Sequence, residues 1–291
     1  MKLNKIVAVD NVGLVDEVVQ ELEKIAKQVV LHDDFPKSNA EIISRIKDAD
    51  AVLVSWNTPI DKEVIQSCSQ IRYIGMCCTL IDEDSANVDI RTANSKGIKV
   101  LGVRDYGDEG VIEFIISELV RLMQGNGEHQ WQQEVSELTE QKLGIIGMGT
   151  LGKMLAEKAQ SFGMEVYYYN RSRKKEVENT GVKYLKLDDL LKEADVVSTH
   201  LPRNTKVIDS AGFEKLGDNK ILVNTSLEPT FDVSSFNSWV EKKGNYGIFD
   251  KAAMGKHYDV LKKHSNVIYT DKVVGWTKQA KKRLSYKALE I

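Results

Sequence analysis

Short apolar runs alternate with amphipathic stretches along the chain. In the first third, segments 6–9, 29–31, 51–54, 71–74 and 98–101 read as strands. Leu14, Val15, Val18, Val19, Leu22, Ile25 and Ala26 recur at helical spacing and predict a helix over 14–27. The run "EGVIEFIISELVRLMQ", 109–124, predicts one long helix that connects two domains. The polar, turn-rich "GNGEHQWQQEVSELTEQ" after it reads as an arm or linker. A second series of strands follows at 143–147, 165–169, 183–185, 196–199, 220–224, 246–249 and 267–269, and 276–291 predicts a basic helix. Strands alternating with helices build parallel sheets covered on both faces. The expected class is therefore α/β, with two doubly wound halves.

Composition narrows the class without changing it. With 291 residues, 42% hydrophobic and 29% charged, the chain is long enough for one large or two medium domains with a well-buried core. A net charge of −3 gives no electrostatic case for nucleic acid or an anionic membrane. No apolar segment approaches the roughly 18 residues of a membrane span, and the run at 6–9 is too short for a signal-peptide core. The three cysteines, Cys68, Cys77 and Cys78, form neither a disulfide framework nor a CxxC metal motif. The expectation is a reducing, cytoplasmic setting and no metal.

Candidate chemistry starts at "KLGIIGMGTLGKMLAEKAQSFGMEVYYYNRS". A strand ends in Gly147-Met148-Gly149-Thr150-Leu151-Gly152, and a helix begins there. The first glycine permits a tight turn and the second lets the backbone approach a pyrophosphate. The third lets helix and strand pack closely, and the helix N-terminus offers free N–H groups to phosphate. A lone GxGxxG is weak, but here strand, helix and second strand follow in order. At the end of that second strand, where a carboxylate would hold the ribose 2′-OH of NAD, the chain has Asn170-Arg171-Ser172-Arg173-Lys174. No acid stands there to repel a 2′-phosphate, and two or three cations could hold it, so NADP(H) is expected over NAD(H).

The same segment resembles the D-isomer-specific 2-hydroxyacid dehydrogenases. "LDDLLKEADVVSTHLP" with His200 and Pro202, "LVNTS" at 222–226, "GIFD" at 247–250 and "VIYTDKVVGWT" at 267–277 extend the resemblance downstream. "IRYIGMCCTLIDEDSANVDIRTANSKGIKVLGV" extends it upstream. The resemblance implies a flavodoxin-like substrate domain of residues 1–107 plus 275–291, a Rossmann cofactor domain of 108–274, and a cleft between them. It also implies a homodimer formed through the cofactor domain, with the 125–141 arm around Trp131 placed to take part. His200, Pro202, Thr225 and Asp250 are implied to line the cofactor, Asp250 at the nicotinamide carboxamide unless it merely ends a strand. Cys77 and Cys78 fall in the implied substrate loop, although small buried hydrophobes are their blander role. Trp56, Tyr106 and Arg203 are further candidates for the cleft, and His257 and His264 read as solvated.

The resemblance fails where the family's chemistry resides. Its substrate-binding arginine corresponds to Leu227, in the loop "VNTSLEPTFD" that also carries Glu228 and Pro229. Its glutamate corresponds to Gly255 and its proton-donating histidine to Lys272. Leucine cannot pair bidentately with a carboxylate, and leaving that carboxylate unpaired in a desolvated site costs on the order of 3–5 kcal/mol. Lys272 could take over proton donation if it were desolvated. Three readings stay open. The first is a divergent oxidoreductase, expected to use NADP(H), that reduces a carbonyl, imine or alkene on a small substrate. The second is a catalytically inactive nucleotide-binding sensor. The third is an ordinary dehydrogenase in which Arg104 or Arg203 supplies the cation.

Overall fold

The computed structural model describes residues 2–290. The chain divides into two compact units, one running up to Gly107 and resuming at Thr277, the other spanning Asp108–Trp276. In the first, β1 (Leu3–Ala8), β2 (Ala26–Leu31), β3 (Ala51–Val54), β4 (Tyr73–Thr79) and β5 (Lys99–Val103) form one sheet in the order β2-β1-β3-β4-β5. Every pairing is parallel. This 2-1-3-4-5 order is the flavodoxin-like winding. Helices cover both faces, so the strands need no alternation: β3 is buried at all four positions.

Two boundaries depart from the hydrophobic pattern. The first helix is Asp16–Ile25, because Ala26 already has extended φ −123° and ψ 157° and opens β2. β4 starts at Tyr73 and runs to Thr79, later than the segment expected at 71–74. Asp50 O accepts from both Arg72 N and Tyr73 N, so the ladder begins only there. Cys77 and Cys78 are therefore strand residues, 1% and 3% exposed, and not part of a substrate loop. Burial pushes the Cys77 thiol far up, which leaves it a packing residue. The C-terminal helix Lys278–Ala288 is capped by Thr277, whose side chain accepts from Ala280 N. It buries Ala280, Leu284, Ser285 and Ala288 and packs on β4 and β5.

The second unit opens with helix Asp108–Gln124. Its strands are β6 (Lys142–Ile146), β7 (Glu165–Tyr169), β8 (Lys183–Tyr184), β9 (Val196–Thr199), β10 (Ile221–Asn224), β11 (Tyr246–Phe249) and β12 (Val267–Tyr269). They pair in the order β12-β11-β10-β9-β6-β7-β8, all parallel. Counted within the unit from β8, this is 3-2-1-4-5-6 with a seventh strand added, the Rossmann winding, and it reverses between β6 and β9. Residues 125–141 are not a free arm. Trp131 is 5% exposed in this unit's core, and its Nε1 donates to Gly244 O at 3.1 Å. Trp131 N and Ser136 N bond back to Leu122 O and Met123 O.

Candidate cofactor and substrate site

In open α/β sheets, ligands bind beyond the strand carboxyl ends at the point where the winding reverses. Here that point holds the β6 turn. Gly147 has φ +103°, and a Cβ there would lie 2.1 Å from His200 O. A Cβ on Gly152 would lie 2.3 Å from Gly147 O. Both glycines are thus required by the protein's own packing. Gly149 is different: a Cβ on it would meet nothing within 4 Å. It caps helix Thr150–Ser161 without a side-chain hydrogen bond, so the first-turn N–H groups have no side-chain acceptor from the cap. Open space in front of unsatisfied amides is what a pyrophosphate requires, and the site fits a dinucleotide on that ground. Met148 is buried, whereas Thr150 is exposed and Leu151 half-buried beside it.

Asn170, at the end of β7, braces the turn. Its Oδ1 accepts from Met148 N at 3.3 Å and its Nδ2 donates to Ser172 O at 3.0 Å. Beyond it the cations are not equivalent. The Arg173 guanidinium is bound at both ends to Glu178, at 2.7 and 2.6 Å, and lies over the Tyr184 ring. Lys174 gives its backbone N–H to Tyr168 Oη. Arg171 and Ser172 are exposed, and Arg171 makes no ion pair among the described residues. Of the two or three cations expected from sequence, Arg173 is committed within the loop, and Arg171 and the Lys174 side chain form no ion pair among the described residues.

The ends of β9 and β10 meet beside this turn. Ser226 Oγ accepts from Leu201 N and donates to Thr199 O, which locks the two loops together. His200 N donates to Ile146 O, and its Nε2 lies 2.9 Å from Ser198 Oγ. Burial pushes the His200 pKa down to about 4, so the ring is neutral. Its Nδ1 and the Thr225 Oγ1 are buried with no hydrogen-bond partner among the described residues. Two orphaned polar atoms at neighbouring strand ends suit a polar ligand that would satisfy them. Pro202 and Arg203 are half-buried in the loop after β9.

Asp250 ends β11 and is 2% exposed. Its carboxylate accepts from Ala253 N and Val274 N, capping helix Lys251–Met254 and tying down the loop after β12. Burial raises its pKa to about 6 against these hydrogen bonds, which lower it. Lys272, in that loop, is exposed and not desolvated. Leu227 is half-buried. Gly255 has φ +49°, where a side chain would be strained.

Glu228 carries the signal that sequence reasoning passed over, although it stands beside Leu227. Its φ is +71°, the left-handed region, at a cost of about 1–2 kcal/mol for a residue with a Cβ. Glu228 N donates to Ala252 O, and Asn224 Nδ2 donates to Glu228 O. Its Cγ lies 3.0 Å from where a Gly255 Cβ would sit.

The other candidates lie elsewhere. Trp56 is half-buried against the first unit's core. Arg104 is occupied, its guanidinium donating to Leu80 O and Ile81 O, and Tyr106 O accepts from Arg283 Nε. His257 is half-buried. His264 is not solvated: its side chain is 14% exposed, bonded to Asn237 Oδ1 and edge-on to Phe236. No cluster of metal ligands and no membrane-crossing helix occurs among the described residues.

Comparison with known proteins follows the same lines. Residues 115–249 match the family profile described as D-isomer specific 2-hydroxyacid dehydrogenase, NAD binding domain. A hydroxypyruvate reductase of Blautia hydrogenotrophica is 30% identical over 227 residues, covering 72% of this chain and 69% of that protein. A glyoxylate reductase of Korarchaeum cryptofilum is 28% identical over 276 residues, covering 87% and 81%. Among solved structures, an acyclic imino acid reductase in complex with NADPH and D-Arg superposes with TM-score 0.82 at 22% identity, over 98% of this chain and 95% of that one. At that identity the likeness is one of fold alone.

Proposed function

The chain belongs to the D-isomer-specific 2-hydroxyacid dehydrogenase family, and from that premise we propose that it is a divergent NADP(H)-dependent oxidoreductase acting on a carbonyl, imine or alkene of a small substrate. The observation that carries the reading is the split among the turn glycines. Gly147 and Gly152 serve the fold, whereas Gly149 leaves a vacant approach to helix-terminal amides. A glycine kept where no atom of the protein demands it supports a bound pyrophosphate.

Residues 147–152 would hold the pyrophosphate, with Asn170 fixing their path. Exposed Arg171 and Ser172 would take the 2′-phosphate. His200, Pro202, Thr225 and Asp250 would wall the nicotinamide end, where Thr225 Oγ1 and His200 Nδ1 await partners. The bound cofactor supplies a hydride. Half-buried, neutral His200 cannot lend a proton at neutral pH, and exposed Lys272 can donate only to a substrate that reaches it.

Titration with NADPH and NADH, followed by nicotinamide fluorescence, tests the reading. NADPH should bind more tightly, and Arg171→Ala should abolish most of that preference, about tenfold or more for a lost charge-assisted contact. Equal affinity for both cofactors in the wild type would refute the NADP(H) assignment. Failure to bind either would end the enzyme reading.

A homodimer through the second unit belongs to the same proposal. Phe114, Glu118 and Arg121 on helix Asp108–Gln124 face edge strand β12 across a groove of about 540 Å³ that also takes in His129 and exposed Tyr269. Sedimentation at twice the 32.7 kDa chain mass supports this contact, and a monomer at micromolar concentration refutes it.

The sensor reading draws on one observation, the apolar Leu227 and exposed Lys272 in place of polar catalytic groups. Tight cofactor binding with no substrate-dependent oxidation across a carbonyl and imine panel would favour it.

A further inference from the structure

We propose that Glu228 is a cation-binding residue and that the substrate carries a positively charged nitrogen, in the reacting form a protonated imine. The redox half of this proposal rests on the oxidoreductase reading above; the binding half does not.

The loop after β10 holds Glu228 in place at a conformational cost. Its backbone is left-handed at φ +71° and is pinned on both sides, by Ala252 O accepting its N–H and by Asn224 Nδ2 donating to its C=O. Asn224 is itself fully buried and tied through Oδ1 to Thr199 Oγ1 and Ser226 N, so the anchor is rigid. The Glu228 side chain lies over Gly255, which has no Cβ to obstruct it. For all this fixing, the carboxylate makes no hydrogen bond or ion pair among the described residues. Strained, over-determined residues cluster at functional sites. A half-buried carboxylate fixed this way is preorganised for a partner the protein does not provide.

Its location selects the ligand. Glu228 follows the carboxyl end of β10, three residues beyond Thr225 with its orphaned Oγ1. A carboxylate there repels an anionic head group and attracts a cation. Leu227, its neighbour, offers an anion nothing.

A cationic imine also resolves the missing acid. Carbonyl reduction leaves an alkoxide that must be protonated, whereas the Asp250 carboxylate accepts backbone N–H groups at both oxygens and Lys272 is exposed. A protonated imine needs no proton donor. Its carbon accepts the hydride and the C–H bond forms as the C=N π pair moves onto nitrogen. The substrate becomes a neutral amine, and the cofactor is left oxidised, having given up two electrons and one hydrogen. The amine then takes a proton from water. Glu228 holds the charge before the step, and its hold is lost when hydride transfer makes the amine neutral.

The test compares matched cation and neutral pairs: piperidinium with cyclohexanol, butylguanidinium with butylurea, and benzylammonium with benzyl alcohol. Binding to the full-length protein is read by saturation-transfer NMR and calorimetry, with and without NADPH. At least one cation should bind about tenfold or more tightly than its neutral partner. Glu228→Gln should erase the preference while leaving the thermal midpoint and NADPH affinity unchanged. In turnover, 1-piperideine should be reduced by NADPH in preference to cyclohexanone, and Glu228→Gln should lower kcat/KM for the imine alone. Equal binding within all three pairs, or a preference that survives in Glu228→Gln, overturns the proposal. The wild-type comparison decides the matter if the variant does not fold. A Glu228-dependent cation preference in a protein that binds no NADPH upholds the site while refuting the oxidoreductase reading. NADPH binding without cation preference does the reverse.

Discussion

At the scale of single residues, two glycines two positions apart should respond oppositely to the same substitution. Gly147→Ala places a Cβ 2.1 Å from His200 O at φ +103° and should destabilise the fold by about 2 kcal/mol or more. Gly149→Ala meets nothing within 4 Å, so its urea midpoint should match the wild type while its NADPH affinity falls. If Gly149→Ala binds NADPH normally, the pyrophosphate does not lie there. His200 and Asp250 predict a pH dependence. His200 has a folded pKa of about 4, below its ordinary 6.5. Its contribution is full above pH 6.5 and is lost as pH falls towards 4, where the unfolded chain binds the proton first. Asp250, raised from 3.8 to about 6, acts in the opposite sense, and its contribution is lost as pH rises through 6. Between these values the slopes oppose each other. Relative to wild type, His200→Asn should therefore gain stability at pH 4 over pH 7, measured by urea unfolding across that range. Parallel profiles would mean that the ring titrates normally. Of these residues, the glycines were legible because their spacing is a steric requirement. Glu228 was not, because nothing in a sequence marks a glutamate as left-handed.

At the scale of elements, legibility follows burial. Strands β7, β9, β11 and β12 coincide with their apolar runs. A strand covered on both faces must be apolar throughout, and polar turns bound it on either side. The misplacement of β4 has the converse cause. Ile71 is buried yet outside the ladder, so apolar character persists where strand pairing does not. The strand's end, at Thr79 and not at 74, puts Cys77 and Cys78 inside β4, where they fill the packing role that stood as the alternative to a substrate loop. Residues 125–141 misled for another reason. Their anchors include backbone bonds to Leu122 O and Met123 O and an indole bond to Gly244 O, and Trp131 and Leu138 are the segment's core residues. Arg173 shows the same limit among charges. Its partner Glu178 is five residues away, and only the fold of that short connection reveals that the cation is already committed.

At the scale of the whole molecule, the chain leaves the first unit at Gly107 and returns at Thr277, so that unit's integrity depends on its last segment. Helix Lys278–Ala288 supplies Leu284, fully buried, with Ala280 and Ala288 beside it. Ser285 Oγ accepts from Val15 N at 3.0 Å, and Arg283 Nε donates to Tyr106 O at 2.8 Å, so the connections after β1 and β5 are both tied to it. Removing a buried leucine alone costs about 2–5 kcal/mol, a large share of the marginal stability of a domain. Deleting residues 277–291 removes Leu284, both alanines and these two bonds at once. The first unit should then unfold, giving fast amide exchange through β4 and β5, the strands against which the helix packs. The second unit draws its cores from residues 112–267 and loses none of them. It should keep its own thermal transition, and the glycine turn should still bind NADPH. Loss of both transitions in the truncated chain would show that the two units fold as one cooperative body. Protected amides in β4 would show that the helix is dispensable. The expected outcome, one unit lost and the other still binding nucleotide, would separate cofactor recognition from everything the first unit contributes.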